Sequence, residues 1–291
     1  MSRCRRTVIC VCAPTGTSVA RSSAPPPSQR IDVSNDPLRT AELTVIGQVT
    51  TASNVTLVCE AEQHGREPLR VVYKPVRGER PLWDFPDGTL AEREVASYLV
   101  SQALGWGVIP ETVLREGPYG PGMVQRWVDT LEDGPELVDL VPVGQVPDGF
   151  REVLRALDPS GHRVSLVHAT DPRLLRMAVL DVLINNADRK GGHVLCGVDG
   201  RVYGVDHGIA LNTEPKLRTV LWGWAGEALP DELLTDITVL VKALPGELGT
   251  RLSELITDAE VRALEARGQE LLQRPVMPVP SSQRPIPWPA F

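Results

Sequence analysis

Residues 183–212 read LINNADRKGGHVLCGVDGRVYGVDHGIALN. An apolar segment runs into Asn185, Asn186, Ala187 and Asp188. His193 follows Asp188 by five residues, and Asp206 opens an Asp-His-Gly eighteen residues beyond it. Between the two acids, VLCGVDGRVYGV is a pair of apolar runs around Asp199-Gly200, the pattern of a β-hairpin. A hairpin returns the chain to where it started. Asp188 and Asp206 are therefore expected to face one pocket from opposite sides.

Upstream of this stretch, DPRLLRMAVLDVLINNA has Pro172 near its start and apolar residues at 174, 175, 178, 179, 182 and 183, a helical stripe. Downstream, PDELLTDITVLVKAL and TDAEVRALEARGQELLQ read as amphipathic helices. From 130 on the signals are mainly helical. Residues 42–128 are mostly strand-like instead. LTVIGQVT and NVTLVCEAE alternate around the turn TASN, LRVVYKPV is a third β-rich run, and ETVLREG and GMVQRWV flank PYGP. Within this part GTLAEREVASYLVSQALG predicts one helix, with Thr89 as N-cap and Gly105 past its end.

This order predicts an α+β, two-lobed protein-kinase-like fold. A small β-rich N-lobe with one helix spans 41–129, and a larger helical C-lobe spans 130–274. Residues 1–40, rich in Ser, Pro and Arg, read as a disordered tail, and 275–291 (PVMPVPSSQRPIPWPAF) as an unstructured Pro-rich tail.

With 291 residues and 42% hydrophobic content the chain can bury such a core. The first forty residues hold six Arg against two acids, so the net charge of −7 leaves about −11 on the rest. An acidic body argues against a nucleic-acid binder and mildly against electrostatic docking to anionic lipid. The five Cys show no metal or disulfide spacing, which predicts a reduced, cytoplasmic protein. Residues 1–13 have a basic start, but their apolar run is at the short limit for a signal peptide. No run reaches the ~18 apolar residues of a spanning helix.

Phosphoryl transfer needs few protein groups: a Lys on the nucleotide phosphates, an acid to orient it, an Asp for the attacking hydroxyl, and oxygen ligands for a divalent metal. The chain offers them in that order. Lys74, one of only four Lys, lies in the third strand; Glu92 and Glu94 lie on the next helix; Asp188 begins one loop and Asp206 the next. Each has a plainer reading. Asp188 could cap a turn, Asp206 could sit in an ordinary turn, Lys74 could be a solvated strand residue, and both Glu could line a solvated face. Helical phase puts Glu92 on the side of Val95, Ala96, Leu99 and Ala103. Gly191-Gly192 could admit a phosphate or merely loosen the loop. Of the Trp residues, Trp127 could pack near a nucleotide base, while Trp83 and Trp106 read as core.

VVYKPVRGE, EREVASYL, NNADRKGGHVL and YGVDHGIALN resemble the phosphatidylinositol 3-/4-kinase-related superfamily over about residues 42–245, in particular its branch of small actinobacterial kinase-like proteins. HipA-type protein kinases are more distant relatives. The resemblance implies ATP as substrate with Mg²⁺ or Mn²⁺, and an acceptor hydroxyl on a lipid, a protein or a small molecule. It implies Asp188 as the catalytic-loop acid, Asp206 as principal metal ligand, Lys74 as phosphate Lys and Glu94 as its partner. Gln125, Arg126 and Trp127 would meet the adenine, and Ser53 and Asn54 the phosphates.

Two positions depart from that superfamily. His193 stands where it has an Asn metal ligand, and Lys190 where lipid kinases have a catalytic His. Mg²⁺ prefers oxygen, whereas imidazole suits Mn²⁺ or Zn²⁺ better. Either His193 is a ligand, or it bonds a phosphate, or Asn186 or Asn212 takes its place. Three functions follow: a phosphotransferase, a pseudokinase that binds nucleotide without efficient turnover, and a nucleotidyl transferase using flipped ATP.

Overall fold

The structure, a computed structural model, describes residues 36–50, 54–86, 89–131 and 134–291. The signal-peptide reading of 1–13, most of the expected N-terminal tail, and Ser53 lie outside the described residues. The fold is α+β with antiparallel sheets. Two compact units emerge. The first comprises described residues up to Arg80 together with Val113–Trp127, and the second comprises Pro81–Thr112 and Val128–Phe291.

In the first unit, α1 (Pro37–Thr40) precedes β1 (Glu42–Gln48), β2 (Leu57–Glu62) and β3 (Leu69–Pro75). These strands form a five-stranded sheet with β4 (Thr112–Gly117) and β5 (Gly120–Arg126), in the order β1-β2-β3-β5-β4. Alternation puts Leu43, Leu57, Cys59, Val71, Tyr73 and Val124 into one core. Lys74 pairs with Met123 and Val72 with Gln125, so these four share the opposite sheet face. The expectation that residues up to 40 are disordered fails for the last five. Asp36 caps α1 by accepting from Leu38 N–H, and Leu38 is wholly buried.

The second unit begins with α2 (Leu90–Ala103). Its start is a capping box: Thr89 Oγ1 accepts from Glu92 N–H, and Glu92 Oε2 accepts from Thr89 N–H. The segment carrying α2 was expected in the β-rich lobe, but it clusters with this unit through Ala96, Leu99 and Val100, which join the helical core.

The reading of 130–170 as mainly helical is corrected. β6 (Val138–Pro142), β7 (Phe150–Leu157) and β8 (Arg163–Ala169) form an antiparallel sheet in the order β6-β8-β7. FREVLRAL in β7 is built of helix formers, but pairing with β8 overrides that preference. Then come α3 (Pro172–Leu183), the hairpin β9 (Val194–Cys196) and β10 (Val202–Gly204), α4 (Asp231–Ala243), α5 (Glu247–Ser253) and α6 (Asp258–Gln273). Asp171 caps α3, Pro172 fills its first turn, and its apolar stripe packs with Leu233, Ile237, Leu240 and Leu264.

The Pro-rich tail is also corrected, since it has fixed partners. Met277 is buried, Ala228 bridges Val276, and Pro285 O accepts from Thr219 N–H and from Trp222 Nε1–H. Trp106 packs as expected and its Nε1–H donates to Asp236 Oδ2 at 2.7 Å, but Trp83 is 91% exposed and not in the core.

Candidate active site

The chain leaving α3 and the chain leaving the hairpin run side by side. Leu211 N–H donates to Ile184 O at 2.6 Å, Ala187 N–H to Ile209 O at 2.9 Å, and Val205 N–H to His193 O at 3.1 Å. These bonds bracket Asp188 on one strand and Asp206 on the other. Asp206 has φ +61°, a left-handed conformation rare for a non-glycine residue. Its carboxylate is half-exposed, and Oδ2 lies 3.4 Å from His193 Nε2. Sustained backbone strain of this kind clusters where a side chain must be aimed.

Asp188 lies in the same place. Its N–H donates to Asn186 Oδ1, and its Oδ2 lies 3.1 Å from Lys190 Nζ. Burial pushes its carboxyl above the usual carboxylate range; Lys190 opposes that, and the nearby Asp206 charge adds to it. The two acids are thus close enough to sense each other.

A buried residue joins the two loops. Arg189 Nε donates to both oxygens of Asp181 at 3.1 Å, and Nη2 to Oδ1 at 2.9 Å. Its remaining donors reach Val205 O at 3.2 Å and His207 Nε2 at 2.6 Å, the residues on either side of Asp206. Asn186 and Thr219 complete the Asp181 carboxylate. Sequence reasoning passed over Arg189 and Asp181. The available signal was an acid inside the apolar stripe of α3, which cannot stay buried without a partner.

Glu94 and Glu92 now separate. Glu92 is used by the helix cap, whereas Glu94 is buried and accepts from His207 N–H at 3.0 Å, next to Asp206. Asn186 and Asn212 were the alternative metal ligands. Asn186 gives its amide to Asp181 and takes Asp188 N–H, while Asn212 gives its amide to Asp84 O and takes Glu214 N–H. Both have their two ends engaged in holding loops. Gly191 has a local reason too: a Cβ there would overlap the Phe291 ring.

The other expected residues belong to the first unit. Lys74 sits in β3 opposite Met123, and Asn54 Oδ1 accepts from Arg80 N–H at 3.0 Å. Gln125 and Arg126 end β5, and Trp127 N–H donates to Arg70 O while the Arg70 guanidinium lies 5.8 Å from the Trp127 ring centre. Among the described residues no helix is long and apolar enough to cross a membrane.

No family model matches the chain. Protein Rv2133c of Mycobacterium tuberculosis (strain ATCC 25618 / H37Rv) is 56% identical over 262 residues, covering 87% of this chain and 94% of that protein. Among solved structures the chain is similar to the Golgi casein kinase, at 14% identity over 81% of this chain and 72% of that chain, TM-score 0.48. It is also similar to hydra Fam20 with sugar, at 16% identity over 82% and 86%, TM-score 0.46. A third is the Helicobacter pylori proinflammatory kinase CtkA, at 11% identity over 82% and 94%, TM-score 0.44.

Proposed function

We propose that this chain, which belongs to the family of Mycobacterium tuberculosis protein Rv2133c, is an ATP-dependent phosphotransferase acting on a hydroxyl acceptor. The observation that carries the reading is the juxtaposition of Asp188 and Asp206 on two loops tied together by Arg189. In the reaction the acceptor oxygen attacks the γ-phosphorus, the bond to the β–γ bridging oxygen breaks, and ADP leaves with that electron pair. Asp188 takes the hydroxyl proton. Its raised proton affinity suits a base better than a fully solvated carboxylate would. Within the second unit Glu94 steadies the backbone beside Asp206 by accepting from His207 N–H; within the first, Lys74 on β3 is the residue this reading assigns to the phosphates. Asn54 and Gln125 to Trp127, also of the first unit, are the residues the sequence motifs assign to the nucleotide.

The donor set fits a divalent ion carried by the nucleotide. Asp206 and His193 lie together, yet among the described residues no cluster of three or more His, Cys, Asp or Glu could hold a metal alone. Such ions commonly take one or two carboxylates and complete their shell with phosphate oxygens and water. An ion bound there would neutralise charge on the phosphates. The imidazole of His193 favours Mn²⁺ over Mg²⁺. The phosphatidylinositol 3-/4-kinase affiliation rests on the sequence motifs, and a lipid, protein or small-molecule hydroxyl is compatible with them.

The test is conversion of ATP to ADP with Mn²⁺ or Mg²⁺ across acceptor pools, read beside intact mass of any modified protein. Phosphate incorporation that Asp188→Asn abolishes supports the reading; AMP incorporation moves it to nucleotidyl transfer. A second reading is favoured by the Lys190–Asp188 ion pair, which occupies the carboxylate meant for the acceptor. Metal-dependent stabilisation by ATP without turnover would identify such a nucleotide-binding module.

A further inference from the structure

We infer that residues 285–291 are a strap that holds the loop from Asp188 to His193 in register, so that this Pro-rich segment is a positioning element of the site. The inference deepens the phosphotransferase reading, and only its turnover arm rests on that reading.

The strap has two anchors, one for each layer beneath it. The inner layer is residues 186–190, which pair with 218–220: Arg218 N–H donates to Asn186 O, Arg189 N–H to Arg218 O, and Val220 N–H to Arg189 O, at 2.9 to 3.1 Å. The first anchor is Pro285 O, which accepts from Thr219 N–H at 3.0 Å and from Trp222 Nε1–H at 2.9 Å. The second is Ala290 O, which accepts from Gly191 N–H at 2.8 Å, with the Phe291 ring laid against Gly191. Ile286 and Ala290 pack on the helical core between and beside these points.

Gly191 is the lever. It follows Lys190, whose Nζ meets Asp188, and it opens the 3-10 turn Gly191–His193, whose last residue faces Asp206. A segment that fixes Gly191 thereby fixes the approach of the Lys190 and His193 side chains to the candidate site. Residue 191 has no room for a Cβ while the ring is present, so the pair Gly191–Phe291 is specific rather than generic packing.

The experiment compares the full chain with Phe291→Ala, Gly191→Ala, the double variant, and a chain ending at Arg284. Hydrogen exchange of residues 186–193 is expected to rise at least about tenfold in Phe291→Ala and in the truncation, with helices 231–243 and 258–273 unchanged. Gly191→Ala is expected to lower Tm in the full chain and to have no further effect once Phe291 is Ala. Turnover is expected to fall in Phe291→Ala through kcat, with KM for ATP unchanged. Unchanged exchange at 186–193, or equal Gly191→Ala effects in both backgrounds, overturns the strap. Faster turnover after truncation also overturns it, in favour of an inhibitory tail. If the truncation unfolds, Phe291→Ala and the double variant carry the test. Wild-type protein that never turns over ATP defeats the phosphotransferase reading and leaves the exchange and Tm arms to decide the strap.

Discussion

Arg189 and Asp181 form an ion pair with neither side chain exposed, through Nε at 3.1 Å from both carboxylate oxygens and Nη2 at 2.9 Å from Oδ1. Removing one member leaves the other as an uncompensated buried charge, a loss of about 3–5 kcal/mol. Asp181→Ala is expected to destabilise the protein by that amount in urea unfolding. Arg189→Lys fares little better, because an ammonium cannot reach Asp181, Val205 and His207 together. A cost under about 1 kcal/mol for Asp181→Ala would contradict the role of this pair as the joint between the two loops.

Asp188 and Asp206 carry the proposed chemistry and little of the packing. Asp188→Asn is expected to lower turnover by about 10²–10⁴-fold with nearly unchanged Tm, the usual worth of a positioned base. Asp206→Asn is expected to reduce metal-dependent stabilisation by ATP as well as turnover. ADP formation at wild-type rates in either variant removes that residue from the mechanism.

Glu92 and Glu94 sit two residues apart on α2 and should behave oppositely. Glu92→Ala loses half of a capping box and is expected to cost about 1 kcal/mol in stability, with turnover retained by the folded protein. Glu94→Ala leaves His207 N–H without that acceptor beside Asp206 and is expected to depress turnover more than tenfold, about the effect of a lost 1.4 kcal/mol. Equal effects on stability and activity in both variants would refute this division.

What could be read from the chain was local. Thr89 with Glu92, Asp171 with Pro172, and Asp199-Gly200 are short-range signals, and the helices and hairpin they mark are present. That Asp188 and Asp206 come near each other was legible for the same reason, because a hairpin fixes where its ends meet. The sheet of β6 to β8 was hidden because Arg, Glu, Leu and Ala in β7 favour a helix until β8 supplies partners. The tail was hidden because most of its ties are isolated backbone groups, such as the carbonyls of Met277, Pro285 and Ala290, which leave no periodic trace. Arg189 was hidden because a buried charge differs from a solvated one only by its distant partner.

The pairing of His193 with Asp206 predicts a metal preference that substitution should reverse. Nε2 of His193 lies 3.4 Å from Asp206 Oδ2, so an ion on that carboxylate has imidazole within reach. Wild-type protein is expected to be stabilised by ATP more with Mn²⁺ than with Mg²⁺ in a thermal-shift titration. His193→Asn replaces the nitrogen donor by an amide oxygen and is expected to narrow the difference by favouring Mg²⁺. A Mn²⁺ to Mg²⁺ ratio unmoved by this change removes His193 from the coordination.

His168 predicts an acid limit on stability that is independent of the site chemistry. It is wholly buried against Trp224, with ring centres 4.3 Å apart. Nε2 accepts from Gly223 N–H at 2.9 Å, and Nδ1 bonds Ala169 O at 3.0 Å. Both ring nitrogens are therefore satisfied by the neutral form. Burial pushes its pKa down to about 4, against the bond to Ala169 and with a smaller contribution from Arg151. Below about pH 6.5 the unfolded chain binds a proton that the folded chain refuses, so stability falls as pH drops and the loss is complete near pH 4. The shift corresponds to about 3 kcal/mol. His168→Gln cannot titrate, so its stability deficit relative to wild type should shrink by about that amount between pH 7 and pH 4 in urea unfolding. A deficit that stays constant over that range means the ring is protonated in both states alike, and the buried neutral imidazole is then the wrong description.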